Sequence, residues 1–132
     1  MDQDTREQCF KLIRTNINHT GGSGITALML ASKYGDVDMI QLLITSGANL
    51  DQIDNSCRSA LIYAAANSEL VAVEKLLLAG ANPNIVSSYG FTALNVAANQ
   101  EIKNLLVRGG AIHNIEDSGI DHKGREIRPR PF

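Results

Sequence analysis

A short block of sequence recurs every 33 residues, and this spacing constrains the fold more than any other feature of the chain. The block reads Gly-Ile-Thr-Ala-Leu at 24–28, Cys-Arg-Ser-Ala-Leu at 57–61 and Gly-Phe-Thr-Ala-Leu at 90–94. An alanine follows each copy three residues later, and a Gly-Ala pair lies near the end of each unit. A chain with this period is expected to stack identical units, because each unit must offer the same faces to its neighbours.

Each unit has the pattern of two short helices joined by a tight turn. In the first unit, Thr26 is placed to cap a helix over residues 27–34. Gly35 ends that helix, and Asp36 can cap a second helix that has an apolar face. The polar residues at 49–56 then favour a turn. The predicted unit is therefore helix, turn, helix and a polar, hairpin-like loop.

These units resemble the ankyrin repeat, whose 33-residue pattern carries a Thr-Pro-Leu-His-x-Ala signature. The matching stretches are Thr-Ala-Leu-Met-Leu-Ala at 26–31, Ser-Ala-Leu-Ile-Tyr-Ala at 59–64 and Thr-Ala-Leu-Asn-Val-Ala at 92–97. The resemblance covers about residues 5–117 and implies an all-α ankyrin-repeat solenoid of helix-turn-helix units with β-hairpin-like loops. The Pro and His of the signature are absent here, so hydrogen bonds between loops through that histidine are expected to be missing.

The register divides the chain into three full repeats preceded by a half-repeat. The predicted boundaries are 1–23 for an N-terminal capping half-repeat, 24–56, 57–89 and 90–117 for the repeats, and 118–132 for a flexible basic tail. Thr5 and Gln8 have the spacing of a capping box at the start of the half-repeat. The third repeat is three residues shorter between its helices, and its Lys103 replaces the Ile40 of the first repeat. A lysine there suits a terminal face that stays in water.

The tail has lost the period and is rich in Gly, Pro and basic residues. A flexible, solvated end accounts for this composition. The alternative is a short linear motif, in which the final Arg-Pro-Arg-Pro-Phe, residues 128–132, binds an acidic or aromatic groove.

Cysteine usage indicates a reducing compartment. Cys9 and Cys57 are too few for a disulfide framework, and the N-terminal residues have no secretory pattern. We therefore expect a cytoplasmic protein, with export by a signal-independent route left open. Cys57 also stands where the other two blocks have glycine, and Asn55 is the candidate for any left-handed residue in that loop.

Charge and composition argue against several classes of partner and against catalysis. The net charge of −2 does not favour nucleic acid or anionic membrane, and no apolar stretch is long enough to span a bilayer. His19, His113 and His122 have no partners at metal-ligand spacing, and the glycines at 21–24 lack the strand and the Lys-Ser/Thr of a phosphate loop. We expect no enzyme activity, no metal and no cofactor.

The resemblance implies a protein-protein interaction module that acts as an adaptor, inhibitor or scaffold and binds a partner protein on its concave face. The alternative is a structural protein that uses the stack for self-association or as a subunit of a larger complex, although a monomer is expected. Carried over position by position, the partner-binding residues would be Ser23, Ile25, Lys33, Tyr34, Ile53, Asn55, Arg58, Asn67, Val86, Tyr89, Phe91 and Gln100.

Four of these residues have alternative explanations that the sequence leaves open. Tyr89 and Phe91 could pack against the neighbouring loop and cover the end of the core. Arg58 could simply pair with Asp54 on the surface, and Tyr34 could fold over the residue at position 37.

Overall fold

The computed structural model describes residues 2–14 and 16–111, and these residues form helices and loops without a β-strand. The helices are α1 (Gln3–Ile13), α2 (Ala27–Tyr34), α3 (Val37–Thr45), α4 (Ala60–Ala66), α5 (Leu70–Leu78), α6 (Ala93–Val96) and α7 (Gln100–Arg108). The prediction of an all-α repeat solenoid is confirmed. The predicted tail, 118–132, and the end of the third repeat, 112–117, lie outside the described residues.

The helices form two layers. The inner layer runs from α1 to α2, α4 and α6, each packed on the one before, and the outer layer runs from α3 to α5 and α7. The inner helices bury small side chains such as Ala31 and Ala64, which let neighbouring backbones approach closely, together with large ones such as Leu28 and Leu61. The outer helices supply larger ones, such as Leu43 and Leu76, so the core is a continuous strip between the layers.

Caps fix the start of each inner helix in the same way. Thr26, Ser59 and Thr92 each accept a hydrogen bond from the backbone N–H three residues later, at 3.1, 3.3 and 3.3 Å. Asp36 likewise caps α3 through the N–H of Met39 at 3.1 Å. The predicted caps at Thr26 and Asp36 are therefore confirmed, as are the predicted bounds of α2.

The N-terminal helix begins earlier than predicted. Asp2 is its N-cap and accepts the N–H of Thr5 at 2.9 Å, so the predicted capping box at Thr5 is wrong. Both residues are good caps, and the local pattern alone does not choose between them. Arg6 of this helix reaches Asp36 with two hydrogen bonds, of 2.6 and 2.9 Å, and thereby ties α1 to the cap of α3.

The shortening of the third repeat falls on its inner helix. α6 has 4 residues, whereas α2 has 8 and α4 has 7, and its backbone leaves the helix at Ala97. Asn99 then caps α7. Asn95 is exposed at a position where Met29 is buried, and Lys103 is half-buried where Ile40 is buried completely. This repeat therefore presents polar side chains where the first repeat presents apolar ones.

Hydrogen bonds connect the successive loops at intervals of one repeat. Asn18 accepts the N–H of Asn49 through Oδ1 at 2.7 Å, and Asp51 accepts the N–H of Asn82 in the same way at 2.8 Å. Loops of successive repeats are thus joined by side-chain hydrogen bonds although the signature histidine is absent. Each of these loops is therefore hydrogen-bonded to the loop before it, and this fixes its position relative to that loop.

Candidate functional site

Three inter-repeat turns lie side by side at one edge of the stack. Each turn is closed by a backbone hydrogen bond of 2.8–3.0 Å, and neighbouring turns are joined by another bond between their tips. The closing bonds are Gly21 N–H to Ile25 C=O, Asp54 N–H to Arg58 C=O and Ser87 N–H to Phe91 C=O. The tip bonds are Asn55 N–H to Ser23 C=O at 3.0 Å and Ser88 N–H to Ser56 C=O at 2.9 Å. We call residues 21–25, 54–58 and 87–91 the turn row.

The left-handed residue of the second turn is Cys57 itself. Its φ is +60°, and the equivalent glycines of the other turns, Gly24 and Gly90, have φ of +78° and +84°. Asn55 is not among the residues with positive φ, so the prediction for Asn55 is wrong. The shared hydrogen bonds hold the second turn in the glycine conformation despite the added side chain.

A buried carboxylate organises the second turn. The side chain of Asp54 accepts the N–H groups of Ser56 and Arg58, both at 2.9 Å, the Nε–H of Arg58 at 3.1 Å, and the hydroxyl of Tyr63. Burial raises the pKa of Asp54, but these hydrogen bonds and the charge of Arg58 outweigh burial and hold the pKa below its usual value. Burial and the hydrogen bond to Asp54 raise the pKa of Tyr63 to about 12.

Among the predicted contact residues, Arg58 makes side-chain contacts with both Asp54 and Tyr63. It forms the predicted pair with Asp54, but the pair is not on the surface, because the carboxylate is almost completely buried. The guanidinium also lies over the ring of Tyr63, 4.9 Å from its centroid. Arg58 therefore orders the second turn, and only part of its side chain reaches solvent.

The third turn leaves its side chains free of the core. The buried hydroxyl of Ser87 accepts the N–H groups of Tyr89 and Phe91 at 3.3 and 3.2 Å and so reinforces the backbone bonds of this turn. Tyr89 is 73% exposed and Phe91 49% exposed. Neither ring is among the buried side chains of the core.

The other predicted contact residues divide by exposure and by location. Ser23, Tyr34, Ile53, Asn55, Asn67, Val86 and Gln100 are exposed, whereas Ile25 and Lys33 are half-buried. The turn row brings Ser23 and Asn55 together. Asn67 instead binds the carbonyl of Tyr63 at the end of α4, and Gln100 binds Asn104 within α7. Tyr34 lies under the ammonium of Lys33, 5.4 Å from the ring centroid.

Sequence reasoning missed two features of this region. Tyr63 was not recognised as a partner of Asp54, although the 33-residue register places it in α4, the helix that follows the second turn. Ser68 adopts a φ of +57° after that helix. The signal for Ser68 was present, since the same register aligns it with Gly35, whose φ is +69°.

Within residues 2–14 and 16–111, no three His, Cys, Asp or Glu side chains come together as metal ligands. Burial raises the pKa of the Cys9 thiol to about 11, so this cysteine is protonated at neutral pH. No helix in the same residues is long and apolar enough to cross a membrane.

Comparison with known proteins agrees with this architecture. A putative ankyrin repeat protein of fowlpox virus (strain NVSL) is 34% identical over 119 residues, which are 86% of this chain and 35% of that protein. The B-cell lymphoma 3 protein homolog of Mus musculus is 41% identical over 101 residues, which are 74% of this chain and 21% of that protein. A putative ankyrin repeat-containing protein of Treponema pallidum (strain Nichols) is 37% identical over 106 residues, which are 76% of this chain and 36% of that protein.

The chain thus spans at most 36% of the length of these three relatives. The family model described as ankyrin repeats, in three copies, matches residues 2–87. Since this match covers more than half of the 132 residues, the chain belongs to the ankyrin repeat family.

Proposed function

We propose that this chain is a non-catalytic module that binds a partner protein on its concave face, with the turn row and the residues next to it as the contact surface. Ankyrin repeats are in general protein-protein interaction modules. The observation that carries the proposal is the exposure of large apolar side chains along this edge. They are Tyr89 at 73%, Val86 at 55%, Phe91 at 49% and Ile53 at 43%.

The backbone that carries these side chains is held by hydrogen bonds within and between the turns. Backbone hydrogen bonds close each turn and join it to the next, so a partner does not need to order the turns on binding. Tyr89 and Phe91 have the chemistry of interface anchors, because aromatic rings bury a large rigid area on binding. Several exposed apolar groups close together are also unusual on a surface without a partner.

The test is an affinity pull-down with the intact chain, followed by measurement of the affinity of the partner that it identifies. In the variant Tyr89→Ala/Phe91→Ala we expect the affinity to fall by roughly tenfold or more, which corresponds to the loss of about 1.4 kcal/mol or more. The unfolding midpoint should barely move, because neither ring is in the core. A partner that loses its activity on binding would identify the chain as an inhibitor, and one that keeps it as an adaptor or scaffold.

The control is Leu42→Ala/Val71→Ala, which removes two exposed apolar side chains from the outer helices. It should leave the partner's affinity unchanged. The proposal fails if the turn-row variant binds like the wild type, or if the control weakens binding equally.

We propose in addition that the module is a cytoplasmic monomer. Its two cysteines are free, as a reducing compartment would keep them. Asn95 and Lys103 make the third repeat a poor surface for end-to-end stacking of a second copy. Light scattering at high protein concentration tests the monomer, and a dimer mass would overturn it.

A further inference from the structure

The outer helices meet at two seams that differ in their side chains. Between α3 and α5, Lys75 donates a hydrogen bond from Nζ to Oε1 of Gln41 at 3.2 Å and bridges the seam. In the register of the repeats, with the three-residue deletion, Leu105 of α7 occupies the place of Lys75. A leucine cannot donate such a bond, and the seam between α5 and α7 is open.

The open seam is a groove of two adjoining hollows with volumes of about 410 and 240 Å³. Glu74, Leu105 and Arg108 line both hollows. Glu101 lines the larger hollow only, and Leu78 lines the smaller one. Leu78 is 82% exposed, which is the largest exposure of any large apolar side chain in the described residues. The groove therefore has an acidic end and an apolar end.

Within the described residues, neither carboxylate of the groove has an ionic partner. Among the described residues, the ion pairs are Arg6 with Asp36 and Arg58 with Asp54, so neither Glu74 nor Glu101 pairs with Arg108. Two carboxylates against one guanidinium leave a net negative charge. The groove is thus electrostatically suited to a cation next to an apolar group.

We propose that this groove is a second docking site, which takes a segment of another protein that carries a basic side chain beside a large apolar one. The basic group would lie against Glu74 and Glu101, and the apolar group against Leu78 and Leu105. The site goes beyond the proposed function, because it lies on the outer helices and shares no residue with the turn row.

The probe is a phage-displayed library of random twelve-residue peptides, selected against the full chain. We expect the enriched peptides to share a Lys or Arg next to a Leu or Phe. A synthetic peptide of the enriched sequence should bind the wild type and bind Glu74→Gln/Glu101→Gln roughly tenfold more weakly. Its affinity for the wild type should fall as salt is raised.

Two further variants distinguish specific binding in the groove from non-specific binding of the peptide. Leu78→Ser removes the exposed apolar side chain without touching the core, and should weaken the peptide's binding by about tenfold. Leu105→Lys gives α7 the residue that closes the other seam and should abolish binding; Leu105 also packs against the core, so part of that packing is lost in the variant as well. The matched control, Asp38→Asn/Leu42→Ser on α3, and the turn-row variant Tyr89→Ala/Phe91→Ala should bind the peptide like the wild type.

The proposal is overturned if the enriched peptides are acidic or lack a basic residue, or if their binding survives in both Leu78→Ser and Glu74→Gln/Glu101→Gln. It is also overturned if the full chain self-associates in sedimentation experiments and Leu78→Ser abolishes that association. The occupant of the groove would then be a second copy of this chain.

Discussion

The second and third turns of the row have the same backbone hydrogen bonds but use their side chains in opposite ways. In the second turn, the buried carboxylate of Asp54 accepts hydrogen bonds from Arg58 and from Tyr63 of α4. In the third turn, the acceptor of the backbone N–H groups is the hydroxyl of Ser87, and the side chains of Tyr89 and Phe91 remain exposed. A repeat can therefore assign one turn to stability and the next to a surface, provided that the backbone bonds are kept.

The largest effect should come from removing the central acceptor of the second turn, and a smaller one from removing that of the third. Asp54→Ala leaves two N–H groups, the Tyr63 hydroxyl and the Arg58 guanidinium without their acceptor, and we expect it to lower the free energy of unfolding by about 3 kcal/mol. Ser87→Ala removes two long hydrogen bonds and should cost about 1 kcal/mol. Urea denaturation measures both values.

Equal losses in these two variants would show that the carboxylate of Asp54 stabilises its turn no more than the single hydroxyl of Ser87 does. Phe91 offers a further check in the third turn. If Phe91→Ala cost as much as Asp54→Ala, the division between a stabilising turn and an exposed turn would be wrong.

A second difference between the turns should appear in acid. The pKa of Asp54 in the folded chain is below its unfolded value of about 4. Its contribution to stability is therefore complete above pH of about 4 and is lost as the pH falls through the folded pKa. The stability difference between wild type and Asp54→Asn should shrink in that range, as measured by thermal unfolding at successive pH values.

Ser87→Ala is the control for the acid experiment, because the third turn has no titrating group in its network. Its difference from wild type should stay constant over the same pH range. Asp36 also has a lowered pKa, because the hydrogen bonds from Arg6 and from the N–H of Met39 outweigh the effect of burial. Some pH dependence should therefore remain in Asp54→Asn.

The smallest of these effects concerns the left-handed residue of each turn. Cys57→Gly should stabilise the second turn by about 1 kcal/mol, because glycine adopts a φ of +60° without steric cost. Gly90→Ala should destabilise the third turn by about 1 kcal/mol. No atom lies within 4 Å of a Cβ placed at Gly90, so only the backbone term acts there. A loss of stability in Cys57→Gly would mean that its side chain contributes packing that outweighs the strain.

The parts of the fold that the sequence predicts are those decided within a few residues. Local chemistry decides the caps at Thr26 and Asp36 and the bounds of α2, and these predictions are confirmed, as is the 33-residue period. The start of α1 was predicted wrongly because Asp2 and Thr5 both satisfy the same local rule. The left-handed Cys57 was missed because the repeat framework overrides the preference of a single residue.

The candidate surface was less predictable, since it depends on contacts between segments. The register predicts the positions of Tyr89 and Phe91, but their exposure becomes visible only in the structure. Arg58 also lies over the ring of Tyr63, which belongs to α4 and not to the turn. The groove between α5 and α7 depends on one substitution, Leu105 in the place of Lys75, whose effect appears only when two helices are placed side by side.

The regular spacing of the loop hydrogen bonds has a consequence for how the chain folds. In the part of the chain that the structure describes, no hydrogen bond joins residues more than 34 positions apart, as between Asn18 and Gln52. Each of these hydrogen bonds therefore closes a short segment, and the entropic cost of each closure stays low. Folding can begin at any pair of adjacent repeats and spread in both directions, so the order of assembly should follow local stability rather than the direction of the chain.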